Sequence, residues 1–122
     1  VTKLLNDEGI ALSESSILIV GVAYKPDVSD VRESPAYDVI GLLDEWDAAI
    51  SYHDPYVPTF EVEGDRYESV ELTASELEAH DCVIVVTDHG AIDVESIVEY
   101  GELVFDTRNA LAEYDKPQIH SL

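Results

Sequence analysis

Four short apolar runs, kept apart by stretches of helix length, limit what this chain can become. They are Ser16-Ile17-Leu18-Ile19-Val20-Gly21-Val22, Ala48-Ala49-Ile50-Ser51-Tyr52, Cys82-Val83-Ile84-Val85-Val86-Thr87 and Leu103-Val104-Phe105-Asp106. Most are apolar without interruption rather than alternating, and β-branched residues dominate them. That pattern belongs to parallel strands buried on both faces, which require helices above and below the sheet. The expected fold is therefore α/β: a Rossmann-like, doubly wound, mainly parallel sheet with helices on both faces.

The intervening stretches fit this plan. Ser34-Pro35 opens a helix, with serine as N-cap and proline already at a helical φ, and Ala36, Val39, Ile40, Leu43 and Trp46 mark its apolar face. Thr73-Ala74-Ser75-Glu76 reads as a capping box for a short helix ending near His80. A further helix is expected over residues 93–100, with Val94, Ile97 and Val98 inward and Gly101 as its cap. Residues 56–66, with Pro58, Gly64 and many charges, read as an irregular exposed loop, and residues 70–72 as a short edge strand. Val1, Leu4 and Leu5 have helical spacing before Gly9, so residues 1–12 are expected to be the tail of a linking helix and residues 13–122 the domain proper. There is no internal repeat.

Length and charge bound the function. The chain has 122 residues, enough for one domain with a core, and carries 27 acidic against 6 basic side chains, a net charge of −21. Such a surface repels phosphate backbones and anionic membranes, so neither nucleic acid nor membrane is an expected partner. The acid runs along the whole chain instead of forming a tail, which suits a halophilic protein: at about 1 M salt the screening length shrinks to roughly 3 Å. No run reaches the roughly 18 to 20 apolar residues of a membrane helix, and no secretory pattern opens the chain, so a cytoplasmic location is expected. Cys82 is the single cysteine, set in a strand where burial raises a thiol's pKa and makes it inert.

In open α/β sheets ligands bind beyond the carboxyl ends of the strands. Residues 23–34, 53–56, 87–92 and 107–111 are the loops expected there. Lys25 and Arg32 fall in the first and Arg108 in the last, so three of six cations sit at one predicted edge. Cations retained there suit an anionic, phosphate-bearing ligand, helped by the helix N-terminus at Ser34. Loop salt bridges to Asp27, Asp30 or Glu33 are an equally open reading. After Gly21 come Val22-Ala23-Tyr24-Lys25, with no second or third glycine, so a Gly-x-Gly-x-x-Gly dinucleotide fingerprint is absent and side chains must hold any phosphate.

The run Gly21-Val22-Ala23-Tyr24-Lys25-Pro26-Asp27-Val28-Ser29-Asp30-Val31-Arg32-Glu33-Ser34-Pro35-Ala36 closely resembles the signature that opens the C-terminal domain of the UDP-glucose/GDP-mannose dehydrogenase family. His53-Asp54-Pro55-Tyr56 resembles the family's Tyr-Asp-Pro turn with His in the Tyr place; Val85-Val86-Thr87-Asp88-His89 resembles its Thr-Asp-His segment, and Asp106-Thr107-Arg108-Asn109 its Asp-x-Arg turn. The UDP-N-acetylmannosamine and UDP-glucose branches are nearest. The resemblance implies an enzyme that oxidises a sugar 6-hydroxyl to a carboxylate in two steps with NAD. It also implies N-terminal NAD-binding and central domains as partners, homo-oligomeric assembly, and a UDP-sugar substrate in preference to a GDP-sugar. Lys25 corresponds to the lysine that reaches sugar and phosphate, Tyr24 to the adjacent aromatic, Arg32 to an arginine near the cofactor phosphates, and Arg108 or Asn109 to the late substrate contact. The family's cysteine nucleophile lies in a motif upstream of this domain, and nothing in the 122 residues matches it, so no catalytic residue is expected here.

Other candidates read as structural. Asp54 stands where a ribose-gripping acid would stand, but the following Pro55 favours a turn-former. His53, His80, His89 and His120 lack metal-site spacing and read as surface or loop residues, so no metal is expected. Asp88 reads as shaping the turn after its strand, and Trp46 and the inward tyrosines as core. Two other classes compete: a receiver-like domain, which would need an acidic pair after the first strand and a lysine after the last, and a self-contained non-enzymatic nucleotide- or coenzyme-binding module.

Overall fold

The computed structural model describes residues 15–23, 34–45, 48–62, 64–87, 89, 92–101, 103–106, 111 and 118–121. Five parallel strands form the main sheet: β1 (Ser16–Val20), β2 (Ala49–His53), β5 (Cys82–Val85), β6 (Val104–Asp106) and β7 (Ile119–Ser121). Their spatial order is β2-β1-β5-β6-β7. Counted among themselves the strands run 2-1-3-4-5, an order of open doubly wound sheets, with the chain turning back on itself between β1 and β5.

Each face has its own core. On one side Ile17, Ile19, Cys82, Ile84 and Phe105 meet Ala36, Ile40 and Leu43 of α1 (Pro35–Glu45). On the other, Leu18, Val20, Val83, Val85 and Val104 meet Leu77 of α2 (Ala74–Ala79) and Ile97 and Val98 of α3 (Val94–Tyr100). Successive strand residues point to opposite faces, so a continuous apolar run feeds both cores, as the sequence pattern requires.

The helix ends follow local chemistry. Ser34 Oγ accepts from the Ala36 amide at 3.1 Å to start α1, and Thr73 Oγ1 accepts from the Glu76 amide at 3.2 Å to start α2. The capping box is half made: the Thr73 amide goes to the Glu71 carbonyl at 3.0 Å. Asp93 caps α3 by accepting from the Ser96 amide and hydroxyl, and the Gly101 amide closes it on the Ile97 carbonyl at 2.9 Å.

Three stretches depart from the sequence reading. Residues 56–66 are not an irregular loop: they contain β3 (Thr59–Val62), antiparallel to β4 (Asp65–Glu68), with Gly64 at φ +90° near the bend. Phe60 and Val62 alternate with exposed neighbours and bury their side chains, and Phe60 packs on Tyr37 of α1 at a ring distance of 4.6 Å. Residues 70–72 are not a strand; a single parallel bridge links Tyr52 to Ser69, and the Val70 amide donates to Tyr52. β7, which had no expectation attached to it, extends the sheet beyond β6. The proposed helix tail within residues 1–12 and the place of Trp46 lie outside the described residues. No helix among the described residues is long and apolar enough to cross a membrane.

Candidate functional site

The parallel registers align one row of residues across the sheet's carboxyl edge. Val20 pairs with His53 on one side and Val85 on the other, Val85 pairs with Asp106, and Asp106 with Ser121. With strands about 4.8 Å apart, the row from His53 to Asp106 spans roughly 14 Å. All four loops expected at the ligand edge leave the sheet from this row. Its centre, between β1 and β5, is the topological switch point, where the connections diverge.

A buried polar cluster occupies that point. The Oδ2 of Asp54 accepts from the amides of Val22 (2.8 Å) and Ala23 (3.2 Å) and from His89 Nε2 (2.8 Å). Because this oxygen already accepts from two amides, the imidazole must be the donor, which assigns a proton to Nε2. Its other oxygen accepts from the Tyr56 amide at 2.8 Å. The Asp54 and His89 side chains are fully buried, and the Tyr56 ring lies edge-on to the His89 ring at 4.8 Å. Thr87 Oγ1 donates to the Ala23 carbonyl at 2.5 Å.

Gly21 brings these loops together. Its φ is +84°, a conformation that disfavours side chains, and an added Cβ would stand 2.3 Å from the Thr87 carbonyl oxygen. The face of this glycine is thus filled by the β5 loop. It is not open to a pyrophosphate, so the described residues do not form a dinucleotide cradle.

On β6 the buried Asp106 repeats the theme, accepting from the Leu111 amide at 2.7 Å across residues 107–110. Two buried carboxylates therefore brace the starts of the first and last candidate loops. The candidate ligand residues Tyr24, Lys25, Arg32, Arg108 and Asn109 lie outside the described residues, as does Asp88. Their described neighbours, Ala23, Ser34, Asp106 and Leu111, are all buried.

The remaining candidates resolve as follows. Asp54 is committed to turn and loop amides, as a turn-former should be. Of the histidines expected at the surface or in loops, His89 and His80 do lie in loops but are buried, His89 against Asp54 and His80 with its Nδ1 at 2.6 Å from the Glu76 carbonyl, while His53 and His120 stand on β2 and β7. Spacing alone could not reveal this, since burial is fixed by where the loops return. Cys82 is fully buried and its thiol is pushed up to about 12, chiefly by burial, which removes it as a nucleophile. Among the described residues no group of His, Cys, Asp and Glu could hold a metal ion.

The sequence model of a family described as "UDP-glucose/GDP-mannose dehydrogenase family, UDP binding domain" matches residues 18–113, a span that includes the whole row from β1 to β6. The chain belongs to the UDP-glucose/GDP-mannose dehydrogenase family. Among relatives of this family, a UDP-N-acetyl-D-mannosamine dehydrogenase of Methanococcus maripaludis is 34% identical over 119 residues, covering 91% of this chain and 26% of its own length. A UDP-glucose 6-dehydrogenase of Bacillus subtilis is 28% identical over 116 residues, covering 89% of this chain and 25% of its own length. The solved UDP-D-ManNAc dehydrogenase of Pyrococcus horikoshii superposes with a TM-score of 0.76 at 24% identity, over 98% of this chain and 28% of that one, a likeness of fold. The chain thus spans about a quarter of the length of the dehydrogenases it matches.

Proposed function

We propose that this chain is the nucleotide-sugar-binding domain of an NAD-dependent dehydrogenase that oxidises the 6-hydroxyl of a UDP-sugar to a carboxylate in two steps. The observation that carries the reading is the row at the carboxyl edge: the segments bearing Tyr24, Lys25 and Arg32, and Arg108 and Asn109, leave from its β1 and β6 positions, in a family whose matching domain is described as UDP binding. Lys25 supplies a compact positive charge to phosphate and sugar hydroxyls with Tyr24 packing beside it, and Arg108 or Asn109 contacts substrate from the far end of the row. Arg32 meets the cofactor phosphates. NAD itself is held chiefly by another domain, since Gly21 is closed by Thr87 and no second or third glycine follows it.

Chemistry on the sugar also falls to another part of the enzyme, the only cysteine here being buried and protonated. In the assembled enzyme this domain faces NAD-binding and central domains, within a homo-oligomer in the cytoplasm.

The test is calorimetry of the full-length enzyme with UDP-sugars and GDP-sugars in molar salt, together with kinetics of Lys25→Ala. UDP-sugars should bind in preference to GDP-sugars, and Lys25→Ala should lose about 2 to 5 kcal/mol in kcat/KM, the range for stripping one partner from a buried charge pair. An unchanged kcat/KM would remove Lys25 from the site.

A further inference from the structure

We propose that Thr87, Asp54 and His89 are positioning residues: by holding both backbone polar groups of Ala23, they set where the Tyr24–Lys25 segment leaves the sheet. The inference rests on the functional reading above, in which that segment binds the nucleotide sugar.

The argument begins where strand pairing stops. The last ladder bonds near β1 are made by the Gly21 amide to His53 and by the Val86 and Thr87 amides to Val20. Beyond them no strand receives the Val22 and Ala23 amides; both donate to Asp54 Oδ2. The Ala23 carbonyl is taken from the opposite side by the Thr87 hydroxyl. Side chains from the ends of β2 and β5 thus grip one residue at the end of β1.

A turn after β2 does not need this arrangement. For that purpose the bond from the Tyr56 amide to Asp54 Oδ1 suffices, together with the exchange between Asp54 and the Ser69 hydroxyl. The second carboxylate oxygen is turned wholly toward β1 and β5. His89 gives it a third donor and is itself held by the Tyr56 ring. Ala23, Asp54, Thr87 and His89 are each 2% exposed or less, so water cannot replace a lost bond and the backbone must move instead.

Tyr24 is the next residue in the chain, joined to Ala23 through a single peptide bond. A shift at Ala23 is therefore carried into the segment holding Tyr24 and Lys25. Arg32, at the other end of the segment, is close in sequence to Ser34, which has its own bond to α1.

The test uses two pairs of variants in the full-length enzyme. Thr87→Val removes the hydroxyl and keeps the shape, and Thr87→Ser restores a hydroxyl. His89→Phe removes the donor while keeping a ring beside Tyr56, and His89→Gln restores an N–H donor. UDP-sugar affinity should fall about 10- to 100-fold in Thr87→Val and His89→Phe, the factor that corresponds to leaving a buried acceptor without its donor. Affinity for NAD should be unchanged, and the serine and glutamine variants should recover UDP-sugar binding.

Folded Thr87→Val enzyme that binds UDP-sugar like wild type would overturn the inference, as would equal weakening toward both ligands. If His89→Phe fails to fold, the Thr87 pair decides alone. Wild-type enzyme with no affinity for UDP-sugars would overturn the functional reading, and this inference with it.

Discussion

Single residues at this edge are legible in proportion to how local their job is. Ser34 and Thr73 announce their caps in sequence, because a cap needs only neighbours two or three positions away. Asp54 shows its turn through Pro55 but not its bonds to Val22, Ala23 and His89, which come from segments 31 to 35 residues distant. The burial of Cys82 is legible from its strand, and it has a consequence for pH. Burial pushes the Cys82 thiol up to about 12 from 9.0, and the Tyr52 hydroxyl, buried and donating to the Val57 carbonyl, up to about 12 from 10.0. The folded state therefore holds these protons more tightly than the unfolded state. Stability should be insensitive to these groups below pH 9 and fall as pH rises from 9 toward 12, by about 1.4 kcal/mol per pH unit for each group inside its window. Urea unfolding at pH 8 and 10.5 at fixed salt checks this, and a flat profile would contradict the burial of both.

Elements are legible where their apolar pattern is strong and obscured where charge interrupts it. β1, β5 and β6 stand out because both of their faces are apolar and buried. The β3–β4 hairpin is obscured because its exposed positions include Glu61, Asp65, Arg66 and Glu68, so that three inward residues, Phe60, Val62 and Tyr67, are the whole signal. That hairpin nonetheless extends the core over α1 and β2, with Phe60 between the rings of Tyr37 and Tyr52 at 4.6 and 6.1 Å. Phe60→Ala should cost about 3 to 5 kcal/mol in urea denaturation, the range for emptying a buried aromatic site. A cost near zero would mean that residues 56–66 contribute no core. β7 is not legible in sequence because three residues, Ile119 to Ser121, offer too little pattern to distinguish a strand from a loop.

At the scale of the molecule, family and charge were both readable from sequence, the first from a contiguous motif and the second from counting. The charge balance sets a physical expectation. With 27 acidic and 6 basic side chains, self-repulsion opposes compaction unless counterions screen it. Circular dichroism should show a cooperative fold in molar potassium chloride and loss of structure on dialysis to salt-free buffer; full folding without salt would refute a halophilic design. The cations in loops expected at the ligand edge are visible in sequence, and the row from which those loops start is not, because alignment of His53, Val20, Val85 and Asp106 is a property of strand register.

That register has an evolutionary corollary. The row is made by main-chain pairing and by two inward-facing apolar layers, neither of which depends on the identity of residues further along the connecting segments. Those segments can therefore vary in sequence while the platform beneath keeps its dimensions.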